Sequence, residues 1–321
     1  MNYKENQLTQ ERISVLGVGT WSMGGTNKFG LSYGHVENQE SIKAIHTLIK
    51  NGVNLIDTAP VYGGADSASE KVVGIALQGG YREKVKIVTK FGNVNDPQTG
   101  KRVIDNSYDT IMKECEESLQ RLQTDYIDYY LMHYPDPNIP IEETMRALNE
   151  LKLAGKILHI GLSNPTQELI LEAEQYSQIE AIQLPYSMVN REQEELFKWC
   201  HNRGYFTMSY GSLGAGILSG AYRELPHFDE LDIRYTFYPF FKDPMFSRIQ
   251  CLLKEMDKIA QIHHVPVSHI ALNWVTQKDF ISTSLVGVAN QDQAQENSQA
   301  FAFSLTDEEM LFLDQAIEKY L

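Results

Sequence analysis

The residues of this chain that could do chemistry are an aspartate, a tyrosine, a lysine and a histidine that follow short apolar runs. Asp57 ends the run "NLID", and Tyr62 comes five residues later. Lys90 ends the run "VKIVTK", and His133 ends "YIDYYLMH". A carboxylate at the end of a buried strand is costly unless a cation pairs with it. The sequence therefore predicts a cationic partner for Asp57.

Lys90 is the predicted partner, provided that the runs of Asp57 and Lys90 form adjacent strands. A nearby ammonium lowers the pKa of a phenol from its usual value of about 10, so we predict a lowered pKa for Tyr62. Tyr62 would then give a proton to a carbonyl oxygen, and His133 would donate a hydrogen bond to the same oxygen. These roles describe acid catalysis of carbonyl reduction, which needs a cofactor as the source of hydride.

Apolar runs that alternate with helical patterns predict the elements that position these residues. The runs are "SVLGVGTW", "NLID", "VKIVTK", "YIDYYLMH", "ILHIGLSN", "EAIQ", "YFTMSY" and "STSLVG". Helical patterns lie near 40–50, 69–77, 107–122, 141–153, 166–175, 191–202, 246–262, 291–300 and 306–318. Ser107 is a predicted N-cap, and Thr306 with Glu309 a predicted capping box.

Eight such units predict an α/β fold, a (β/α)8 TIM barrel that forms a single domain over 1–321 and ends in C-terminal helices. An open doubly wound sheet has the same alternation and remains the alternative. The segment 217–245, after strand seven, is too long for a plain loop, so we predict that it covers the barrel mouth. Within it, Arg234 is expected to form a surface salt bridge rather than to meet an acidic substrate.

Polar residues at six consecutive strand ends point to a site at one rim of the barrel. Besides the four residues above, the ends carry Ser163 with Asn164, Gln183 and Tyr210. A single histidine or lysine at such a position is often structural, but in a TIM barrel the carboxyl ends of the strands carry the chemistry. Trp21, Tyr62, His133 and Tyr134 are the predicted substrate contacts, which leaves aldehydes, ketones, keto-sugars and sugar lactols open.

The composition excludes several classes of partner. The chain has 321 residues, of which 42% are hydrophobic, and a formal net charge of -14, which argues against nucleic acid and anionic membranes. The polar N-terminus and the lack of a long apolar run predict neither a signal peptide nor a membrane helix. Three widely spaced cysteines suggest reduced thiols, so we predict a cytoplasmic protein. The oligomeric state cannot be read from the sequence.

Six segments together resemble the aldo-keto reductase superfamily over nearly the whole chain. They are "LIDTAPVYG", "VTKFG", "DYIDYYLMHYPDP", "IGLSN", "IQLPYSMVNRE" and "YGSLGAGILSG". The resemblance implies a TIM-barrel carbonyl reductase that depends on NAD(P)H, with Asp57, Tyr62, Lys90 and His133 as the catalytic tetrad. It also implies that Ser163, Asn164 and Gln183 bind the carboxamide and that Tyr210 stacks on the nicotinamide. The cofactor-binding residues implied in addition are Gly19, Thr20, Trp21, Asp57, Gly211, Ser212, Leu213, Gly216, Gly287, Gln293, Glu296 and Asn297.

The chain departs from the family pattern at two positions. Tyr134 follows the histidine, where the family often has tryptophan, and this change keeps the pocket wall aromatic. Ala289 stands where a basic residue would grip the 2′-phosphate of NADP, so a charge-assisted contact is lost. We therefore expect NADP(H) to be preferred to NAD(H), but with weakened discrimination, and no metal.

Two other functions are compatible with the sequence. The chain could be a cofactor-binding regulatory subunit that resembles the β-subunits of potassium channels, or a barrel that isomerises or hydrolyses sugars. "GVGTWS" lacks the last glycine of a dinucleotide-binding fingerprint. His263, His264 and His269 lack a further ligand at metal spacing, so a solvated helix face is expected there.

Overall fold

A closed barrel of parallel strands is the centre of the computed structural model, which describes residues 1–24, 36–63, 67–95, 101–228 and 232–321. Within these ranges the barrel has eight strands: β1 Leu16–Gly19, β2 Leu55–Asp57, β3 Lys86–Phe91, β4 Ile127–Met132, β5 Ile157–Ser163, β6 Ala181–Pro185, β7 Phe206–Tyr210 and β8 Thr283–Gly287. Each strand pairs with the next along the chain, and β8 closes on β1. The predicted TIM barrel is confirmed, and the open sheet is excluded.

Helices follow the strands on the outside of the barrel. They are α1 Asn38–Lys50, α2 Ala68–Ala76, α3 Tyr108–Leu122, α4 Ile141–Leu153, α5 Gln167–Ala173, α6 Glu194–Asn202, α7 Ile233–Phe237, α8 Met245–His263, α9 Val267–Thr276, α10 Gln291–Gln299 and α11 Asp307–Tyr320. The predicted helices are present within a few residues of their expected ends. The sequence did not predict α9, because all of its residues are buried and it has no polar face to reveal its period.

The strands are buried on both faces, as parallel strands in such barrels are. One apolar cluster fills the inside of the barrel and includes Leu55, Val88, Leu131 and Phe206. A larger cluster lies between the strands and the helices. Because the apolar residues fill the barrel and its outer layer, the polar residues at the strand ends are left at the rim.

Two hairpins that the sequence did not predict lie at opposite ends of the barrel. Strand Tyr3–Glu5 pairs with Arg12–Ser14 at the amino ends of the barrel strands, where Tyr129 donates a hydrogen bond of 2.6 Å to Glu11. Strand Asn93–Asn95 pairs with Arg102–Ile104 directly after β3, at the carboxyl rim. The second hairpin therefore lies beside the predicted site.

The long segment 217–245 contains short helices as well as loop, and residues 229–231 of it lie outside the described ranges. It includes α7 and a 3-10 helix at Pro239–Phe241. Arg234 pairs with Asp232 at 2.5 Å, so the expected salt bridge is present, although both side chains are largely buried.

Candidate active site

Lys90 is the cation that pairs with Asp57. Its Nζ donates hydrogen bonds to Asp57 Oδ2 at 2.7 Å, to the Thr58 carbonyl at 2.9 Å and to the Tyr62 hydroxyl at 3.4 Å. Strands β2 and β3 are neighbours, with Asp57 opposite Val88, which brings the two charged residues together. The predicted pair is confirmed, and Lys90 joins the carboxylate to the phenol.

The pair is buried, so neither charge relies on water. The side chains of Lys90 and Asp57 are 1% and 5% exposed. Burial raises the pKa of Asp57 and lowers the pKa of Lys90, while the mutual attraction opposes both shifts. The three donors of the ammonium have three acceptors, a geometry that fixes its position.

The expected lowering of the Tyr62 pKa is wrong. Burial raises the pKa of Tyr62 well above its ordinary value, and the Asp57 carboxylate raises it further. The reason is that a largely buried phenol disfavours the anion, and that the Asp57 charge lies against the Lys90 ammonium and offsets its field. Tyr62 therefore keeps its proton at neutral pH and is able to donate it.

His133 lies just after β4 as a neutral imidazole. Burial lowers its pKa well below the ordinary value, and the positive charges of Lys90 and Arg102 lower it further. Its ring meets the Tyr62 ring edge-on at 6.1 Å between centroids and stacks on Tyr134 at 4.9 Å. A neutral imidazole retains one N–H donor, which is suited to a carbonyl oxygen.

The residues predicted to bind the carboxamide and the nicotinamide lie together at the ends of β5 to β7: Ser163, Asn164, Gln183 and Tyr210. Gln183 Nε2 donates to Asp57 Oδ2 at 2.8 Å. Asn164 Nδ2 donates to the His133 carbonyl at 3.2 Å, and the Tyr210 hydroxyl donates to Asn164 Oδ1 at 2.8 Å. Asn164 also donates from its backbone N–H to the Gln183 carbonyl and from Nδ2 to Ser163 Oγ, so one hydrogen-bonded set joins these positions to Asp57 and His133.

The loop that follows Tyr210 has open space beside its backbone. A Cβ added to Gly211 would meet no atom within 4 Å, and the backbone is left-handed at Gly214, Ala215 and Gly216. In contrast, Ser212 is buried and its hydroxyl contacts Ser284. A backbone with free space beside it leaves room for a ligand such as the pyrophosphate of a dinucleotide.

The predicted cofactor residues near β1 and β8 differ in burial and in the hydrogen bonds that they already make within the protein. Thr20 is fully buried, and its hydroxyl donates to the Asp57 carbonyl at 2.9 Å. Trp21, the next residue, is exposed. Gly287 pairs with Gly19 across the barrel seam. Around α10, Gln293 Oε1 accepts from the Ala289 N–H at 2.8 Å, Glu296 Oε1 accepts from Ser268 at 3.1 Å, and Asn297 is buried.

Two residues at the mouth were missed by the reasoning from sequence. Arg102, on the second hairpin, donates from Nη2 to the Val61 carbonyl at 3.0 Å, beside Tyr62. Tyr238, in the long segment, is near enough to raise the pKa of the Tyr62 and Tyr210 phenols further, after burial and other nearby groups. No motif signals either residue, since both return to the rim from distant parts of the chain.

A metal site and a membrane span are not found in the parts of the chain that the structure describes. There, no three side chains of histidine, cysteine, aspartate or glutamate are grouped to hold a metal ion. Among the same residues, no helix has the length and apolar character that crossing a bilayer requires. His263 contacts Glu309 at 2.7 Å, and His269 contacts the Glu296 carbonyl at 2.9 Å.

Comparisons with known proteins agree with this geometry. The model of the Aldo/keto reductase family matches residues 15–318. The chain belongs to this family. It is 33% identical to the aldo-keto reductase YhdN of Bacillus subtilis (strain 168), over 99% of this chain and 94% of that protein. It is 32% identical to the NADH-specific methylglyoxal reductase of Escherichia coli (strain K12), over 97% of this chain and 96% of that protein.

A solved structure resembles the whole chain. The glycerol dehydrogenase of Gluconobacter oxydans superposes with a TM-score of 0.89 at 29% identity, over 99% of this chain and 96% of that chain. This aldo-keto reductase is thus an oxidoreductase of a family that uses NAD(P)H and acts on small carbonyl compounds.

Proposed function

We propose that the protein reduces the carbonyl group of a small aldehyde, ketone or sugar with hydride from a nicotinamide cofactor, and that Tyr62 is the general acid. The observation that carries this proposal is the position of Lys90 Nζ, within hydrogen-bonding distance of both Asp57 and Tyr62. The Gly211 loop and the set of polar residues at the ends of β5 to β7 would hold the cofactor.

The proton follows a short path in this proposal. A bound nicotinamide would supply the hydride, and the carbonyl oxygen would gain negative charge as the hydride adds to the carbon. Tyr62 gives its proton to that oxygen, while Lys90 donates a hydrogen bond to the phenol oxygen and stabilises the anion left behind. His133 donates its N–H to the same carbonyl oxygen. Asp57 holds Lys90 in place through the contact of 2.7 Å.

The substrate is expected to lie against flat aromatic faces. Trp21 and Tyr134 are 36% and 41% exposed, and the Trp21 ring lies 6.2 Å from the Tyr62 ring. Such faces suit a small carbonyl compound or a sugar ring. Two relatives are named for reactions of small oxygenated molecules, methylglyoxal and glycerol, which supports this size of substrate.

For the cofactor, we propose that NADP(H) binds in preference to NAD(H), with weak discrimination. Ala289 offers no charge to a 2′-phosphate, and its N–H is already bonded to Gln293. The relative named as NADH-specific demonstrates that the family includes proteins that use NADH. Both nucleotides therefore belong in every assay.

The test is a panel of aldehydes, ketones and sugars with NADPH and with NADH, followed by absorbance at 340 nm. We expect Tyr62→Phe to bind cofactor as the wild type does and to turn over about 10²- to 10⁴-fold more slowly. Tyr134→Phe is the matched control, because it removes a phenol hydroxyl from the same mouth and should leave turnover within a few-fold. Wild-type turnover in Tyr62→Phe, or no oxidation of either nucleotide across the panel, would contradict the proposal.

A further inference from the structure

The second hairpin brings a cation to the mouth of the barrel. Arg102 begins the strand Arg102–Ile104, which pairs with Asn93–Asn95 directly after β3. Its guanidinium donates one hydrogen bond, of 3.0 Å, to the carbonyl of Val61, the residue before Tyr62. Arg102 remains exposed, so a ligand in the mouth can reach it.

Arg102 has no partner of opposite charge within the described ranges. Among the described residues, no carboxylate forms an ion pair with Arg102, in a chain whose net charge is -14. The contact with the Val61 carbonyl places the guanidinium beside Tyr62, and the same positive charge adds to the lowering of the pKa of His133 after burial and Lys90. The rings of Tyr62, His133 and Tyr134 contact one another in sequence, and Arg102 is bonded to the residue that precedes the first of them.

We infer that Arg102 binds a carboxylate carried by the carbonyl substrate, so that the site favours aldehydes and ketones that bear an acid group over neutral ones. This inference rests on the proposed function, since it names the substrate class of the same site. A guanidinium has five N–H donors, and the bond to Val61 uses one of them. The remaining donors match the two oxygens of a planar carboxylate, which a guanidinium can hold in a bidentate pair.

The kinetic test compares 4-carboxybenzaldehyde with 4-nitrobenzaldehyde, two aldehydes of similar size. For Arg102→Gln we expect KM for the carboxylate to rise about 10-fold or more, with kcat nearly unchanged, and KM for the nitro compound to stay within about 2-fold. Arg102→Lys keeps the charge but loses the planar arrangement of donors, so its KM for the carboxylate should lie between those of the wild type and Arg102→Gln. Lys101→Gln removes the same charge one residue away and is the control. An equal rise in KM for both aldehydes, or no rise for either, would overturn the inference.

A binding test separates this inference from the proposed function. Calorimetry with the holoenzyme uses benzoate and benzamide, which differ in charge and are not reduced. We expect benzoate to bind the wild type at least about 10-fold more tightly than benzamide, and Arg102→Gln to abolish this difference. If the wild type reduces aldehydes but binds benzoate no more tightly than benzamide, the inferred role of Arg102 is overturned and the proposed function is not. A preference for benzoate without turnover of any carbonyl would support the anion site and contradict the proposed reaction.

Discussion

Separating the buried charges of Lys90 and Asp57 should destabilise the protein with a pH dependence that reveals which charge is left. Lys90→Met removes the hydrogen bonds of 2.7, 2.9 and 3.4 Å and leaves Asp57 with Gln183 as a donor at 2.8 Å. Breaking a buried ion pair costs about 3–5 kcal/mol, and the Gln183 bond favours the lower figure of about 3 kcal/mol. For 321 residues the unfolding entropy is about 0.7 kcal/mol/K, so Tm should fall by roughly 4–5 °C.

The sign of the pH effect differs between the two partners. In Lys90→Met, burial raises the pKa of Asp57 and nothing cationic opposes it, so stability is lost as pH rises from about 4 through the folded pKa. In Asp57→Asn, burial lowers the pKa of Lys90, so stability is lost as pH falls from about 10.4 through the folded pKa. Relative to the wild type, the deficit of Lys90→Met should be smaller at pH 5.5 than at pH 9. The deficit of Asp57→Asn should be smaller at pH 9.

The assay is thermal melting at both pH values, without cofactor and at one scan rate, with each variant compared with the wild type at the same pH. Lys113→Met is the control, because Lys113 is 75% exposed and its ion pair with Glu117 spans 3.8 Å; its melting should match that of the wild type. Turnover of Lys90→Met should fall by at least about 100-fold, since Tyr62 loses its donor. If the two deficits do not change with pH, or change in the same direction, the buried pair is not the source of stability.

Three further perturbations test other parts of the molecule. Ala289→Arg should raise the preference for NADPH over NADH by about 10- to 100-fold in dissociation constants measured by fluorescence titration, as one charge-assisted bond would; an unchanged ratio would mean that the 2′-phosphate binds elsewhere. Burial raises the pKa of Glu114 to about 7, so stability should be lost as pH rises from about 4.5 to 7. Glu114→Gln can still accept the hydrogen bond from the Gly92 N–H, and it should flatten this part of the curve of Tm against pH. Parallel curves for the variant and the wild type would refute Glu114 as the origin of this pH dependence. Gly74→Ala would place a Cβ 2.4 Å from the Arg121 carbonyl oxygen, so it should cost about 1–3 kcal/mol in urea unfolding, and a neutral result would mean that α2 and α3 separate freely.

Local signals in the sequence predicted the order and kind of most elements. The capping box is one example, since Thr306 Oγ1 accepts from the Glu309 N–H at 3.2 Å and Glu309 accepts from the Thr306 N–H at 2.8 Å. Ser107 is the N-cap residue of α3 as predicted, but its side chain makes no capping bond. A local sequence pattern therefore predicts which residue occupies the N-cap position more reliably than it predicts the hydrogen bond made there.

The sequence by itself determined the barrel and the rim, because alternating runs and polar strand ends are properties of neighbouring residues. It therefore predicted that Asp57, Lys90, His133 and Tyr210 meet at one edge. What the tertiary structure decided depends on distances between residues far apart in the chain. It sets the protonation of Tyr62, because burial and the cancelling Asp57 charge outweigh the Lys90 ammonium.

Only the tertiary structure brings Arg102 to the mouth. No repeat or spacing connects it with Tyr62, which lies on a different strand-end loop. The hairpin after β3 folds back and sets its guanidinium against Val61. The same limit applies to α9, whose residues are buried on every side and so lack the polar face from which a period is read. Sequence periodicity reports which face of an element meets water, and it gives no information where every face meets protein.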